Sequence, residues 1–100
     1  MHGWPFDEDP HVGVFTTRQV MEGLPVLLVT HDPDYEWQFV CGTTNADADL
    51  AHVHLHHLYE IDPTIGELAD LPIGWQAWRA SPDEPWQRSL LPAETLAEYE

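Results

Sequence analysis

The sequence predicts a small single domain of the α+β class, with a mainly antiparallel β-sheet and two or three short helices. Three observations lead to this fold class. A chain of 100 residues with 43% hydrophobic residues is large and apolar enough for one core. Segments of strand length recur along it, with brief helices predicted between them. Its 11% aromatic content argues against disorder, because acidic disordered chains are poor in aromatic residues.

The chain is predicted to comprise an irregular arm over residues 1–10, a folded domain over 11–91 and a tail over 92–100. The arm contains two prolines and several consecutive polar residues, which disfavour regular structure. Trp4 and Phe6 are the residues able to attach it to the domain.

The first strand and the first helix follow the arm. Residues 11–16 are β-branched and aromatic, which is typical of a strand. Thr17 is a suitable N-cap for a brief helix over 18–22. Gly23 ends that helix, and Pro25 prevents it from continuing.

A β-hairpin comes next and has the clearest signal. Residues 25–30 form an apolar run without alternation, as expected for a strand covered on both faces. Residues 35–42 alternate apolar and polar side chains, which is the period of a strand. A turn over 31–34 joins the two strands, and a polar loop over 43–49 follows. The apolar face of the second strand comprises Tyr35, Trp37, Phe39 and Cys41.

Two periodicities compete between residues 50 and 61. Alternation around Val53 favours a strand, whereas the spacing of Leu58 and Ile61 favours a helix. We therefore expect a short strand over 52–56 that passes into a helical turn.

A second helix begins at Asp62, because an aspartate N-cap followed by Pro63 is a strong start signal. The Leu71–Pro72 pair ends it, and a final strand is predicted over 74–79. A loop is then predicted over 81–85. It is followed by a segment over 86–91 that returns to cover the sheet, and by a frayed helix over 92–100.

Charge restricts the partners of this protein. Eighteen Asp and Glu residues stand against three Arg and no Lys, a formal net charge of −15. Such a surface repels nucleic acid and anionic lipid, so both are excluded as partners, and it attracts basic proteins or metal cations. The alternative is that the acidity serves only solubility or adaptation to salt.

Acidic residues and one tryptophan are the candidates for binding a basic protein. Trp75 and Trp78 are an odd number of positions apart, so they face opposite sides of a regular strand. An exposed tryptophan beside carboxylates suits a basic partner, since aromatic anchors carry much interface energy. The candidate partner-binding residues are Asp32, Asp34, Asp47, Asp49, Trp78, Asp83 and Glu84.

Closely spaced histidines are the alternative site, for zinc or copper. They are His52, His54, His56 and His57, with Asp47, Asp49 or Glu60 as possible carboxylate ligands. On a strand, the row from His52 to His56 spans roughly 13 Å, which is too long for one tetrahedral ion to take all three. On a helix, pairs at i,i+3 or i,i+4 spacing supply two ligands. The competing interpretation is ordinary surface histidines.

Catalysis, cofactor binding and membrane insertion have no support in the sequence. Cys41 lies on the apolar face of a predicted strand without a basic neighbour, so we interpret it as a small hydrophobic residue. Crowding alone explains close pairs of acids, and no phosphate-binding loop is found. The single cysteine excludes an internal disulfide. No apolar stretch reaches transmembrane length, and we predict a cytoplasmic protein without cofactors.

Three stretches of the chain, taken together, form a recognisable pattern of motifs. The first is a helix, a glycine and an apolar strand over 17–26, and the second is the WxF-x-x-G strand over 36–42. The third joins the DP-apolar segment 60–65 to the leucine-proline-glycine and aromatic-Arg segment 70–79. With these motifs the chain resembles a bacterial family of domains of unknown function related to immunity proteins of polymorphic toxin systems. The resemblance implies an α+β fold and no enzymatic activity. The histidine-rich segment 50–58 departs from the family pattern.

These observations favour a non-enzymatic acidic domain that binds another protein, with an antitoxin for a basic toxin as the specific case. Many toxins are basic nucleases, and opposite charge accelerates association. A metal-binding protein that uses the histidines is the second hypothesis, and an uncharacterised housekeeping domain is the third.

Overall fold

A computed structural model describes residues 4–33, 36–41 and 50–92 of the chain. The predicted fold class is confirmed: the domain is α+β, with one six-stranded sheet and three short helices. The strands are β1 Gly13–Thr17, β2 Leu28–His31, β3 Trp37–Val40, β4 Leu50–His54, β5 Trp75–Trp78 and β6 Gln87–Leu90. The helices are α1 Arg18–Met21, α2 Leu55–Ile61 and a 3₁₀ helix, Pro63–Leu68. The loop predicted over 43–49 and the helix predicted in the tail lie outside the described residues, apart from Pro92.

The strand order is β4-β1-β3-β2-β5-β6. All neighbouring pairs are antiparallel except β1 and β3, which run parallel. The predicted hairpin is confirmed as β2 and β3, in which Val29 lies opposite Phe39. The connection between the parallel strands β1 and β3 consists of α1, the segment after it and β2, which lies on the far side of β3.

The core lies on one face of the sheet. Val29, Phe39 and Ala77 come from adjacent strands and are all fully buried there. The helices cover this face with apolar residues that belong to the same core: Val20, Leu55, Leu58, Ile65 and Leu68. A six-stranded sheet with helices on one face needs only one hydrophobic layer.

The N-terminal arm is part of this core. Phe6 is 5% exposed and makes edge-to-face contacts with Trp37 and Phe39, at ring-centroid distances of 5.7 and 6.5 Å. Trp4 packs against Phe6 and Tyr59 at 5.6 and 5.5 Å. Residues 4–10 of the arm form neither helix nor strand, and Trp4 and Phe6 attach them to the domain.

Helix α1 has the cap and the terminating glycine that the sequence predicts. The Thr17 hydroxyl accepts a hydrogen bond from the Val20 amide and caps α1, as predicted. Gly23 follows the helix with φ of 115°, a left-handed conformation that glycine tolerates best. The expected strand followed by a helical segment is found within residues 50–61, but β4 ends at His54 and α2 begins at Leu55, so His56 is helical and not part of the strand.

Three expectations need correction. The helix predicted from Asp62 to Leu71 is a 3₁₀ helix, which ends at Leu68. The strand over 74–79 is not the last, because residues 87–90 add β6 to the sheet edge instead of covering a face. Their side chains are mostly exposed, so backbone pairing with β5 places this segment. Strand β2 alternates buried and half-buried residues, since the helices cover only one of its faces.

Candidate functional site

The outer face of the sheet, opposite the core, presents a row of apolar side chains. Val40 lies opposite Leu28, which in turn lies opposite Trp78, so the row crosses β3, β2 and β5. Val40 and Leu28 are half-buried, while Trp78 is 48% exposed. Trp75 points to the core face and packs against it, as the odd spacing of the two tryptophans predicts.

Two of the predicted acidic residues lie close to Trp78 in the chain and in the fold. Asp83 and Glu84 are exposed in the loop that joins β5 to β6, and Trp78 and Gln87 are the paired residues at its base. The Glu84 amide donates to the Ser81 carbonyl at 3.1 Å, which forms a turn in this loop. Trp78, Asp83 and Glu84 therefore belong to one end of the sheet.

Buried Arg79 holds this loop to the body of the domain. Its guanidinium donates to the carbonyls of Val26, at 2.9 and 3.1 Å, and of Pro82, at 3.4 Å. It also contacts the Asp62 carboxylate at 3.3 Å and lies 4.1 Å from the centre of the Trp86 ring. The Arg79 side chain is only 2% exposed, so its charge does not reach the surface.

The other predicted acidic residues have different positions. Asp32 is 3% exposed, and its carboxylate accepts from the Glu36 amide at 3.1 Å, where it supports the connection between β2 and β3. It is therefore not presented to a partner. Asp34, Asp47 and Asp49 lie outside the described residues.

All three arginines contact carboxylates. Arg18 lies 3.5 Å from Glu22, Arg79 lies 3.3 Å from Asp62, and Arg88 lies 2.9 Å from Asp70. The hydrogen bond from Arg88 holds the pKa of Asp70 below its usual value. None of the three cations is therefore positioned to offset the acidic excess elsewhere on the surface.

The structure assembles a cluster of four histidines that differs from the one in the sequence. His54 ends β4, while His56 and His57 belong to the first turn of α2. His11, which precedes them by more than forty residues, joins them with ring-centroid distances of 5.6 Å to His54 and 5.2 Å to His56. We name His11, His54, His56 and His57 the histidine cluster. No local spacing signal could have identified His11, because the pairing of β1 with β4 and the backbone bonds that extend it beyond Gly13 bring it there.

His52 is separate from the histidine cluster. Its ring packs against Phe15 at 5.0 Å and lies over Gly13, where a Cβ atom would overlap it. As the side chains stand, no group of three or more His, Cys, Asp and Glu residues within 4–33, 36–41 and 50–92 is arranged to hold a metal ion.

Cys41 is 2% exposed and lies in the hydrophobic core, with its sulfur 3.8 Å from the Thr17 hydroxyl. This position matches its interpretation as a small core residue. His31 is also buried; its Nδ1 lies 2.8 Å from the Leu71 carbonyl oxygen, and its ring stacks on Trp37 at 3.9 Å. These contacts join the end of β2 to the segment after the 3₁₀ helix.

No helix in the described part of the chain is long and apolar enough to cross a bilayer. No protein-family model, curated protein or solved structure matches the chain. Functional inference therefore depends on the chain's own residues.

Proposed function

We propose that this chain is a non-enzymatic acidic domain that binds a basic protein, and that it acts in the cytoplasm as an immunity protein against a basic toxin. One observation carries the proposal: a net charge of −15 in which all three arginines already contact carboxylates. A field of one sign attracts a partner of the opposite sign and accelerates encounter.

The outer face at Trp78 is the proposed contact surface. Half-buried Leu28 and Val40 and the exposed Trp78 indole supply its apolar centre. Asp83 and Glu84, exposed in the loop at the Trp78 end of the sheet, are the proposed acidic rim. Interfaces combine an apolar centre that carries most of the energy with a polar rim that contributes orientation and association rate. A partner's Arg or Lys also binds favourably over an exposed indole face.

The first experiment identifies the partner. Untagged protein, coupled to a resin, is mixed with lysate of its own host at low salt, and bound proteins are identified by mass spectrometry. We expect a basic protein that elutes as salt rises, because screening weakens exposed charge pairs. Recovery of no basic protein, or of one indifferent to salt, would contradict the proposal and favour acidity that serves only solubility or a housekeeping role.

The second experiment uses the identified partner and tests the surface. Trp78→Ala should weaken binding by about 30-fold, the effect of removing a central aromatic anchor. The double variant Asp83→Asn, Glu84→Gln should mainly slow association, because rim charges act on the encounter rate. Leu90→Ala is the matched control, since Leu90 is 60% exposed but lies on the other face, opposite Trp75. Equal effects of Trp78→Ala and Leu90→Ala would reject this surface.

The immunity role has its own test. Co-expression of this protein with the identified partner should restore growth if the partner is a toxin, and Trp78→Ala should reduce that protection. If the identified partner is basic but harmless when expressed alone, the protein-binding function stands and the immunity role is rejected.

A further inference from the structure

We propose that His11, His54 and His56 form a binding site for one divalent transition-metal ion of the zinc class. This inference is independent of the protein-binding function. It differs from the cluster visible in the sequence, because it excludes His52 and requires His11, which lies just before β1.

The three imidazole rings already form a triangle of suitable size. Their centroids lie 5.6 Å apart for His11 and His54, 5.2 Å for His11 and His56, and 5.7 Å for His54 and His56. Three imidazoles on one tetrahedral zinc, each with a ring nitrogen about 2 Å from the metal, have centroids about 5 Å apart. The ring nitrogens do not converge as they stand, so the rings must turn to bind. Little displacement of the ring centres is needed.

The backbone holds the two chain segments in this relation. The Leu55 amide donates to the Val12 carbonyl at 2.9 Å, and the His56 amide donates to the Pro10 carbonyl at 3.0 Å. These bonds join residues 10–12 to the start of α2 on both sides of His11. The His11 and Asp9 side chains are 73% and 75% exposed, so the His11 ring can turn together with its Asp9 contact while the backbone stays in place.

Carboxylates lie beside two of the three rings. Asp9 Oδ1 lies 3.3 Å from His11 Nδ1 and also accepts from the His11 amide at 2.8 Å. Glu60 Oε1 lies 3.9 Å from His56 Nδ1. In metal sites, a carboxylate that accepts from one imidazole nitrogen orients the ring and leaves the other nitrogen for the metal. Nε2 of His11 is therefore the assigned donor atom, and the longer Glu60 contact of His56 leaves its donor nitrogen unassigned.

The remaining histidines fit the triangle less well. His57 lies 4.5 Å from His56 but 6.2 Å from His54, and His52 is engaged with Phe15. The site consequently has three protein ligands and one open position for water. Neutral imidazoles suit zinc, copper and nickel, whereas magnesium and calcium prefer oxygen ligands.

The test uses the full chain, untagged and purified without a metal resin. Titration with Co²⁺ should give the intense visible absorption of a tetrahedral ion at one equivalent, and Zn²⁺ should displace it. His11→Gln, His54→Gln and His56→Gln should each weaken Zn²⁺ binding by at least about tenfold, whereas the control His52→Gln should leave it unchanged. Asp9→Asn should also weaken binding, by about tenfold, without loss of the Co²⁺ spectrum.

Three results would overturn the proposal: no binding of Zn²⁺, binding of several weak equivalents, or equal weakening by His52→Gln and His11→Gln. The last result would indicate adventitious binding by surface histidines. Circular dichroism of each metal-free variant checks folding. If His56→Gln does not fold, the comparison of His11→Gln with His52→Gln is sufficient to show whether Zn²⁺ binds at the proposed site.

Discussion

Replacement of Arg79 by methionine tests the proposal that one buried cation joins three parts of the domain. Arg79 follows β5, and its guanidinium contacts the Val26 carbonyl before β2 and the Asp62 carboxylate at the start of the 3₁₀ helix. It also donates to the Thr64 hydroxyl at 3.0 Å. Methionine keeps most of the side-chain volume but removes every one of these donors.

The expected loss in the free energy of unfolding depends on the Asp62 carboxylate, which the variant leaves without its cation. The Asp62 side chain is 15% exposed, so its carboxylate stays mostly buried without its cation, although the Thr64 and Val26 amides still donate to it. Removal of one partner from a buried ion pair costs about 3–5 kcal/mol. Because Asp62 is partly exposed and keeps other donors, Arg79→Met should destabilise the protein by about 3 kcal/mol, at the low end of that range.

Urea unfolding, followed by tryptophan fluorescence and circular dichroism, measures this loss. For a chain of this size the m-value is about 1 kcal/mol/M, so the midpoint should fall by roughly 2–3 M. Arg88→Ala is the matched control, since Arg88 also contacts an aspartate but both side chains are more exposed, at 34% and 79%. Its midpoint should change far less.

A second variant separates charge from packing. In an Asp62→Asn background, Arg79→Met should cost less, because no buried carboxylate is left uncompensated. Equal midpoint shifts for Arg79→Met and Arg88→Ala, or an Arg79→Met cost that Asp62→Asn does not reduce, would refute the reasoning.

The remaining predictions concern the arm, a turn and an exposed ion pair. Phe6→Ala should lower the free energy of unfolding by about 3–5 kcal/mol, because it empties a core position, whereas Leu90→Ala at 60% exposure should have a small effect in the same urea assay. Gly23→Ala should cost roughly 1–2 kcal/mol through backbone strain alone, since φ is 115° and no atom lies within 4 Å of an added Cβ; an unchanged melting curve would contradict this. Arg88→Ala should raise the pKa of Asp70 in an NMR titration, because the lowered pKa depends on that contact. The folded-state pKa is depressed, so the stabilisation by Arg88 should be present above the unfolded-state pKa and disappear as pH falls through the folded-state pKa.

Much of the fold could be predicted because its signals are local. The alternation at Trp37 and Phe39 identified β3, and the Thr17 cap and Gly23 located α1. Strand β6 was missed because its sequence lacks an apolar face, and its position at the sheet edge depends on backbone pairing with β5.

Less of the candidate site could be predicted. Trp78 is exposed, as the odd spacing from Trp75 allowed, and Asp83 and Glu84 lie in the adjoining loop. The carboxylate of Asp32 looks like any other in the sequence, yet it is buried and bonds to the Glu36 amide. Composition gives the number of charged residues but not which of them the fold buries or pairs.

The sequence by itself determined the sign of the surface charge, the fold class and the hairpin, because these depend on composition and on periods of two or about four residues. The tertiary structure alone decided the parallel pairing of β1 with β3, the burial of Arg79 and the position of His11 beside His54. Each joins segments far apart in the chain, and such contacts form only when the summed burial of the whole core outweighs the entropy of closing the intervening loops.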